Sequence, residues 1–354
     1  QFGDTDAMRK ILVVAALLTV LVLGAQAEVL EMQKGWELVL ENSATHRLAE
    51  IDLEKAEIDH LRATAENLLD NLEANQKKAD EAWKKANKTY RTAVQNLQVT
   101  YLENYVNMTN LMNQLEIRKI RLKQAETAYE NGLKKWEIKS ISDSELRNLK
   151  LNLESAQSNL ANTENQIELA KMDFAALVGS ADWEFDFKLE FVPFAETLED
   201  VLKDLPNLER VVQARDQLDT ATANLEEART KGEAVLTIRE RELEVEKAKI
   251  NLKNTEEDQL KQLIRSYNTL KQSEKSYLNA LDSYEVEQKK YEVALKQHSA
   301  GVITDADLEN SRIALMEQEN SLRDSLLSYY KSYMSLQQLR ERGEFSLEQF
   351  FADH

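Results

Sequence analysis

Sliding the chain against itself by 162 residues lays one half on the other without a slip of register. Val39 and Leu40 fall on Val201 and Leu202, Tyr105 on Tyr267, Tyr129-Glu130 on Tyr291-Glu292, and Leu133 on Leu295. Ile141 and Asp143 fall on Ile303 and Asp305, and Leu146, Asn148, Leu153 and Leu160 on Leu308, Asn310, Leu315 and Leu322. A shared heptad produces leucine matches by chance, but it does not put tyrosines and an Ile-x-Asp turn in one frame. The chain is therefore a tandem duplication, and whatever unit folds here folds twice.

The joint between the halves runs from Gly179 to Leu208 and holds both prolines, Pro193 and Pro206. Within it Trp183, Phe185, Phe187, Leu189 and Phe191 alternate with Glu184, Asp186, Lys188 and Glu190, a period of two that predicts one half-buried strand, the only one in the chain. Pro193 closes that strand, and Pro206 breaks or restarts a helix. The chain thus divides into four segments: 1–27, a first helical repeat over 28–179, a β and loop connector over 180–207, and a second helical repeat over 208–354.

In the first segment Met8 precedes Arg9 and Lys10, the apolar run Ile11 to Leu23, and Ala25-Gln26-Ala27, the pattern of a secretory signal peptide. The run is too short to span a bilayer. The expectation is an exported chain starting at Glu28, with residues before Met8 an upstream extension; the alternative is a retained anchor. No cysteine is present, which leaves no disulfide framework and no residue for a lipoprotein acyl chain. A net charge of -18 argues against nucleic acid or anionic lipid as a partner, and also serves solubility.

Only 8 Gly and 2 Pro in 354 residues make long helices the default. From Trp36 to Ile138 there is no proline and one glycine, Gly132, with apolar residues at three and four spacing. A single rod of that length would run about 150 Å; a reversal near Asp70 to Asn75 would halve it. Position 70 corresponds to Gly232, which follows Lys231 as a helix stop does, so a reversal is expected in both halves. A second reversal, Lys139 to Asp143, precedes a heptad with Leu146, Leu153, Leu160, Ile167 and Phe174 at one position and Leu149, Ala156, Thr163, Ala170 and Leu177 at the other. The second copy keeps the first stripe as Leu308, Leu315, Leu322, Tyr329 and Leu336 but puts Ser311, Gln318, Ser325 and Ser332 in the second, which predicts a narrower or wetter contact.

No catalytic constellation is present in the sequence. His46 and His60 would stand about 21 Å apart along a helix, too far to share a metal. There is no glycine-rich phosphate loop or nucleophile elbow, and the 63 Asp and Glu residues read as solvated helix faces. The expectation is a protein that is not an enzyme and binds no cofactor or metal. Asp143 and Asp305, each just before a helix, read as N-cap or first-turn acids.

Taken together, Val39-Leu40-Glu41-Asn42-Ser43, two copies of a long helix, tip and heptad helix, and Gly301-Val302-Ile303-Thr304-Asp305-Ala306-Asp307-Leu308 resemble the TolC-like outer-membrane efflux proteins. The other tip, Lys139-Ser140-Ile141-Ser142-Asp143-Ser144-Glu145-Leu146, keeps Ile-x-Asp but has Lys139 where that family has Gly, and Leu198 to Leu208 looks like its second-half start. The resemblance spans 29 to 343. It implies a mainly α fold of tandem-repeated coiled-coil hairpins, a TolC-like α-barrel, with an equatorial collar made partly of the 182–192 strand. It implies a homotrimer forming a periplasmic tunnel that meets a periplasmic adaptor and an inner-membrane pump through the tips Ser140, Ile141, Ser142, Asp143, Gly301, Val302, Ile303, Thr304 and Asp305. Glu145 and Asp307 take the place of the family's acidic entrance ring. One departure is large: the family's first reversals carry membrane β-strands of about ten residues each, for which neither Asp70 to Asn75 nor Ala234 to Ile238 has room. The expected protein is a tunnel without its own barrel, attached to the periplasm or the outer membrane, with an outer-membrane protein as a further partner. A structural rod spacing two envelope layers is the alternative, and the wet second stripe favours the duct.

Overall fold

A computed structural model describes residues 28–70, 73–180, 183–185, 187 and 189–340. The signal-peptide reading of 1–27, and Asp186 and Lys188 of the alternating stretch, lie outside them. In chain order the elements are β1 (Glu28–Leu30), α1 (Met32–Asn42), α2 (Ala44–Asp70), α3 (Glu73–Glu137), α4 (Asp143–Val178), β2 (Trp183–Phe185), α5 (Leu198–Leu202), α6 (Glu209–Thr230), α7 (Val235–Ser299) and α8 (Asp305–Arg340), with a 3-10 turn over Leu205–Asn207.

The 162-residue offset carries α3 onto α7 and α4 onto α8 end for end: both long helices have 65 residues and both returning helices 36. At about 1.5 Å per residue the long helices are rods of about 97 Å. Within each copy the pair forms an antiparallel hairpin, α2 packs on α3 and α6 on α7. The hairpins meet where α3 lies against α8, so the four long helices run side by side in the order α4, α3, α8, α7. All ten heptad positions of α4 lie on its covered face, with Thr163, Ile167, Ala170 and Phe174 fully buried.

Two expectations are corrected. The stretch from Trp183 is not one long strand, and it is not the only one: β2 has three residues and pairs in parallel with β1, Glu28 opposite Trp183 and Leu30 opposite Phe185. The ladder is short because its partner is short; α1 begins at Met32. The alternation still reports burial, since Trp183, Phe185, Phe187, Leu189 and Phe191 all pack on the core. The second correction concerns α8, whose polar second stripe does not leave it poorly covered. A different face, carrying Asn320, Asp324, Leu327, Lys331 and Met334, serves its second neighbour, α3. Asn113 Nδ2 donates to Asn320 Oδ1 at 3.0 Å and Arg121 pairs with Glu317 at 2.7 Å across that seam.

The core is thickest at the joint, where tyrosine hydroxyls hold the connecting backbone. Tyr105 donates to the Leu30 carbonyl and Tyr101 to that of Met32, both at 2.7 Å. Val192 and Phe194 are the repeat counterparts of Leu30 and Met32; their carbonyls accept from Tyr329 at 2.7 Å and from Lys271 Nζ at 2.8 Å. The same two backbone positions are thus anchored in each copy, which fixes the hairpins against the connecting segments.

Candidate functional site: two tips and a joint

Each hairpin turns by the same device. Lys139 N donates to the Trp136 carbonyl at 2.8 Å and Ser140 N to that of Lys135 at 2.7 Å; Gly301 N donates to His298 at 2.9 Å and Val302 N to Gln297 at 2.9 Å. This double closure needs a left-handed residue at its corner, and Lys139 and Gly301 occupy it with φ of 59° and 72°. A side chain at 301 would meet nothing within 4 Å, so Gly301 relieves conformational strain only, and Lys139 tolerates about 1–2 kcal/mol of it.

The returning helices start with capping boxes. Glu145 N donates to Ser142 Oγ at 3.3 Å while Ser142 N donates to Glu145 Oε2 at 2.7 Å. In the other tip Asp307 N donates to Thr304 Oγ1 at 3.2 Å and Thr304 N to Asp307 Oδ2 at 3.0 Å. The caps are therefore Ser142 and Thr304, and Asp143 and Asp305 are the first helical residues behind them. Hydrogen bonds from the Ser142 backbone and then its hydroxyl hold the Glu145 carboxyl below the usual glutamate range; the Thr304 hydroxyl and then its backbone do the same for Asp307.

A second tie crosses each turn and was not legible beforehand: Trp136 Nε1 donates to Asp143 Oδ1 at 2.6 Å, and His298 Nε2 meets Asp305 Oδ1 at 2.6 Å. Trp136 and His298 are repeat counterparts, each seven residues ahead of its acid, and that shared spacing is the signal that could have found them. The two tips lie at the same end of the molecule, since Gln124 Nε2 donates to Asn310 Oδ1 at 3.1 Å just behind them. Ile138 and Val302, at 77% and 70% exposure, project beside the turns. Glu145 and Asp307 each work within their own turn, and no hydrogen bond or ion pair joins them among the described residues.

At the opposite end α6 turns into α7 through residues 231–234. Gly232, with φ of 64°, closes it by donating to the Arg229 carbonyl at 3.2 Å, as the Lys-Gly signal predicts. In the first copy α2 ends at Asp70 and α3 begins at Glu73; Asn71 and Leu72 lie outside the described residues. His46 contacts Tyr90 Oη at 3.2 Å and His60 Asp80 at 2.9 Å, and among the described residues no group of acids or histidines could hold a metal. No described helix is long and apolar enough to cross a membrane.

Among the features of the joint that differ between the copies is a buried charge. Asn42 Nδ2 donates to the Val178 carbonyl at 3.2 Å. At the corresponding positions, 204 and 340, Asp204 accepts from Arg340 Nε at 2.6 Å, and the fully buried guanidinium also forks onto Glu196 at 2.7 and 2.5 Å. Burial alone would lower the pKa of Arg340, but the hydrogen bonds to Glu196 and Asp204 more than offset it, and the net direction is up.

No protein-family profile matches the chain, and no curated protein matches it by sequence. Among solved structures it is similar to the CmeC outer membrane channel of Campylobacter jejuni, at 14% identity and a TM-score of 0.53 over 90% of this chain and 88% of that one. A membrane protein from Pseudomonas aeruginosa gives 12% and 0.54, covering 89% and 91%. The outer membrane protein VceC of Vibrio cholerae gives 13% and 0.52, covering 89% and 97%. Likeness at that identity is likeness of fold: the chain has the TolC-like fold that its turn motifs resemble.

Proposed function

We propose that three copies of this chain close into a hollow helical tunnel in the periplasm, a section of a TolC-like efflux or secretion machine. The observation that carries this reading is an interface used once inside the chain and left open at its edges. The α3 to α8 contact joins the first copy to the second. Advancing it by one repeat puts α7 against the α4 of a neighbouring molecule.

The residues needed for that second contact are exposed on both edges. Ile313 and Met334, buried against α3 at 6% and 1%, correspond to Leu151 and Met172 on α4, at 54% and 66%. On the other edge α7 exposes Leu278, Val286 and Val293. Covering Leu151 or Met172 is worth about 1.5–3 kcal/mol each. A monomeric or solid-rod reading leaves this apolar edge in water.

In the assembly the tips Ser140 to Asp143 and Gly301 to Asp305 face a periplasmic adaptor and, through it, an inner-membrane pump, with Glu145 and Asp307 repeated around the entrance. The direct turn between α6 and α7 supports a tunnel without its own membrane barrel, joined to the outer membrane by a partner protein. The channel character of the structural neighbours supports a duct over an enzyme. Native mass spectrometry of residues 28–354 tests the assembly: three chains of 40.7 kDa, each less its 27-residue leader, give a particle of roughly 114 kDa. Leu151→Lys with Met172→Lys reduces it to monomers. A wild-type protein that stays monomeric at micromolar concentration overturns the proposal.

A further inference from the structure

A groove of about 930 Å³ opens between the first turns of α3, the start of α6 and the end of α8. Its α3 wall is strongly basic, with Lys77, Lys84, Lys85, Lys88 and Arg91 against Glu81 on the same wall and Glu209 and Asp216 on α6. Lys84 and Lys85 take part in no ion pair among the described residues. Trp83 stands among them, its ring 5.3 Å from that of His60. Gln337 and Gln338 of α8 form one end of the groove, two residues before Arg340, where the described chain stops.

The sequence beyond Arg340 complements this wall. Residues 341–354 read Glu-Arg-Gly-Glu-Phe-Ser-Leu-Glu-Gln-Phe-Phe-Ala-Asp-His, with four acids, one arginine and three phenylalanines. The register of the seam points the same way. Facing residues of α3 and α8 have numbers that add to 434 at Glu103–Lys331, Asn110–Asp324 and Gln124–Asn310. If that register were continued past Arg340, it would set Glu344 beside Lys88 and Arg91, Glu348 beside Lys84 and Lys85, and Phe351 opposite Trp83.

We propose that this groove is a docking site for the chain's own residues 341–354, held by acid-to-lysine pairing and by phenylalanine against Trp83. The segment then fastens α6 and α8 to α3 at the groove. The proposal does not depend on the tunnel reading, because the contact lies within one chain whatever its assembly.

The natural absence of cysteine gives a direct test on the full chain. Asn87→Cys with Gln349→Cys puts two thiols at the expected juxtaposition, and Ser140→Cys with Gln349→Cys is the distant control. Mild oxidation is expected to give an 87–349 cross-link within one chain, seen by peptide mapping, and none in the control. Lys84→Glu with Lys85→Glu abolishes the cross-link, and adding Glu344→Lys with Glu348→Lys restores it. Absence of the 87–349 cross-link overturns the proposal, as does its forming only between differently tagged copies or its indifference to the charge reversals.

Discussion

At the scale of single residues, the tips are held by carboxylates whose protonation the geometry controls. The Glu145 pKa is lowered because its ionised form accepts from Ser142, so the cap it closes is fully present above the ordinary glutamate range and is lost as pH falls through the lowered value. Carbon-13 NMR of the carboxyl groups should find Glu145 titrating below unpaired surface glutamates, and Ser142→Ala should return it to their range; a Glu145 that titrates normally in the parent protein would sink the capping account. Asp143 and Asp305 were legible as first-turn acids, but their ties to Trp136 and His298 were not, because a tryptophan and a histidine share no pattern until the repeat aligns them. Arg340 was hidden for the same reason. Arg340→Ala should cost about 3 kcal/mol in urea unfolding, since it leaves acids at the joint without their buried cation. Arg340→Val with Asp204→Asn, which restores the first copy's Asn–Val pair, should recover most of that loss. A double variant no better than the single would mean that the two copies hold their joints by unrelated means.

At the scale of elements, the duplication predicted helix limits better than local signals did, because two independent sequences had to satisfy one geometry. It also explains how the copies diverged in compensating pairs. In the first hairpin a Cβ on Gly132 would lie 2.3 Å from Leu149 Cδ1; the counterpart positions hold Ala294 and Ser311, so the methyl gained on one helix faces a smaller side chain on the other. The α1 contact repeats the exchange, with Gly35 under Tyr101 where the second copy has Thr197 and Leu263. The serine that replaces Leu149's counterpart in the second stripe of α8 is thus part of a compensating exchange of volume, which a reading of one helix at a time takes for a wetter face. Gly132→Ala should destabilise by about 1–2 kcal/mol through overpacking, and Leu149→Ala in the same chain should remove that penalty. Strictly additive effects in the double-mutant cycle would argue against a close approach at this point. The strand was half legible: alternation gave the buried face, while the ladder's length depended on β1, three residues that carry no pattern of their own. Phe187 packs on Tyr105 with ring centroids 6.3 Å apart, so Phe187→Asp should lower the melting temperature, or release the oligomer, even though position 187 lies beyond the ladder.

At the scale of the whole molecule, the proposed tunnel raises the question of what would join it to an outer membrane at the end away from the tips. A bilayer leaves backbone groups unsatisfied unless they belong to helices or closed barrels. The described helices offer no membrane-spanning segment, and the far end of the second copy is a turn of residues 231–234 between two helices rich in Glu, Lys and Arg. A membrane strand needs about nine to eleven residues, and α6 and α7 are hydrogen-bonded as helices up to the turn on both sides. On the proposed reading of a tunnel without a barrel, residues 28–354 should stay in solution without detergent and form no ion-conducting channels when added alone to liposomes. Conductance should appear only when an outer-membrane partner is supplied. Channels formed by this chain alone would mean that the segment around Gly232 rearranges from helix to strand on meeting lipid, and the proposal of a tunnel without a barrel would fall with it.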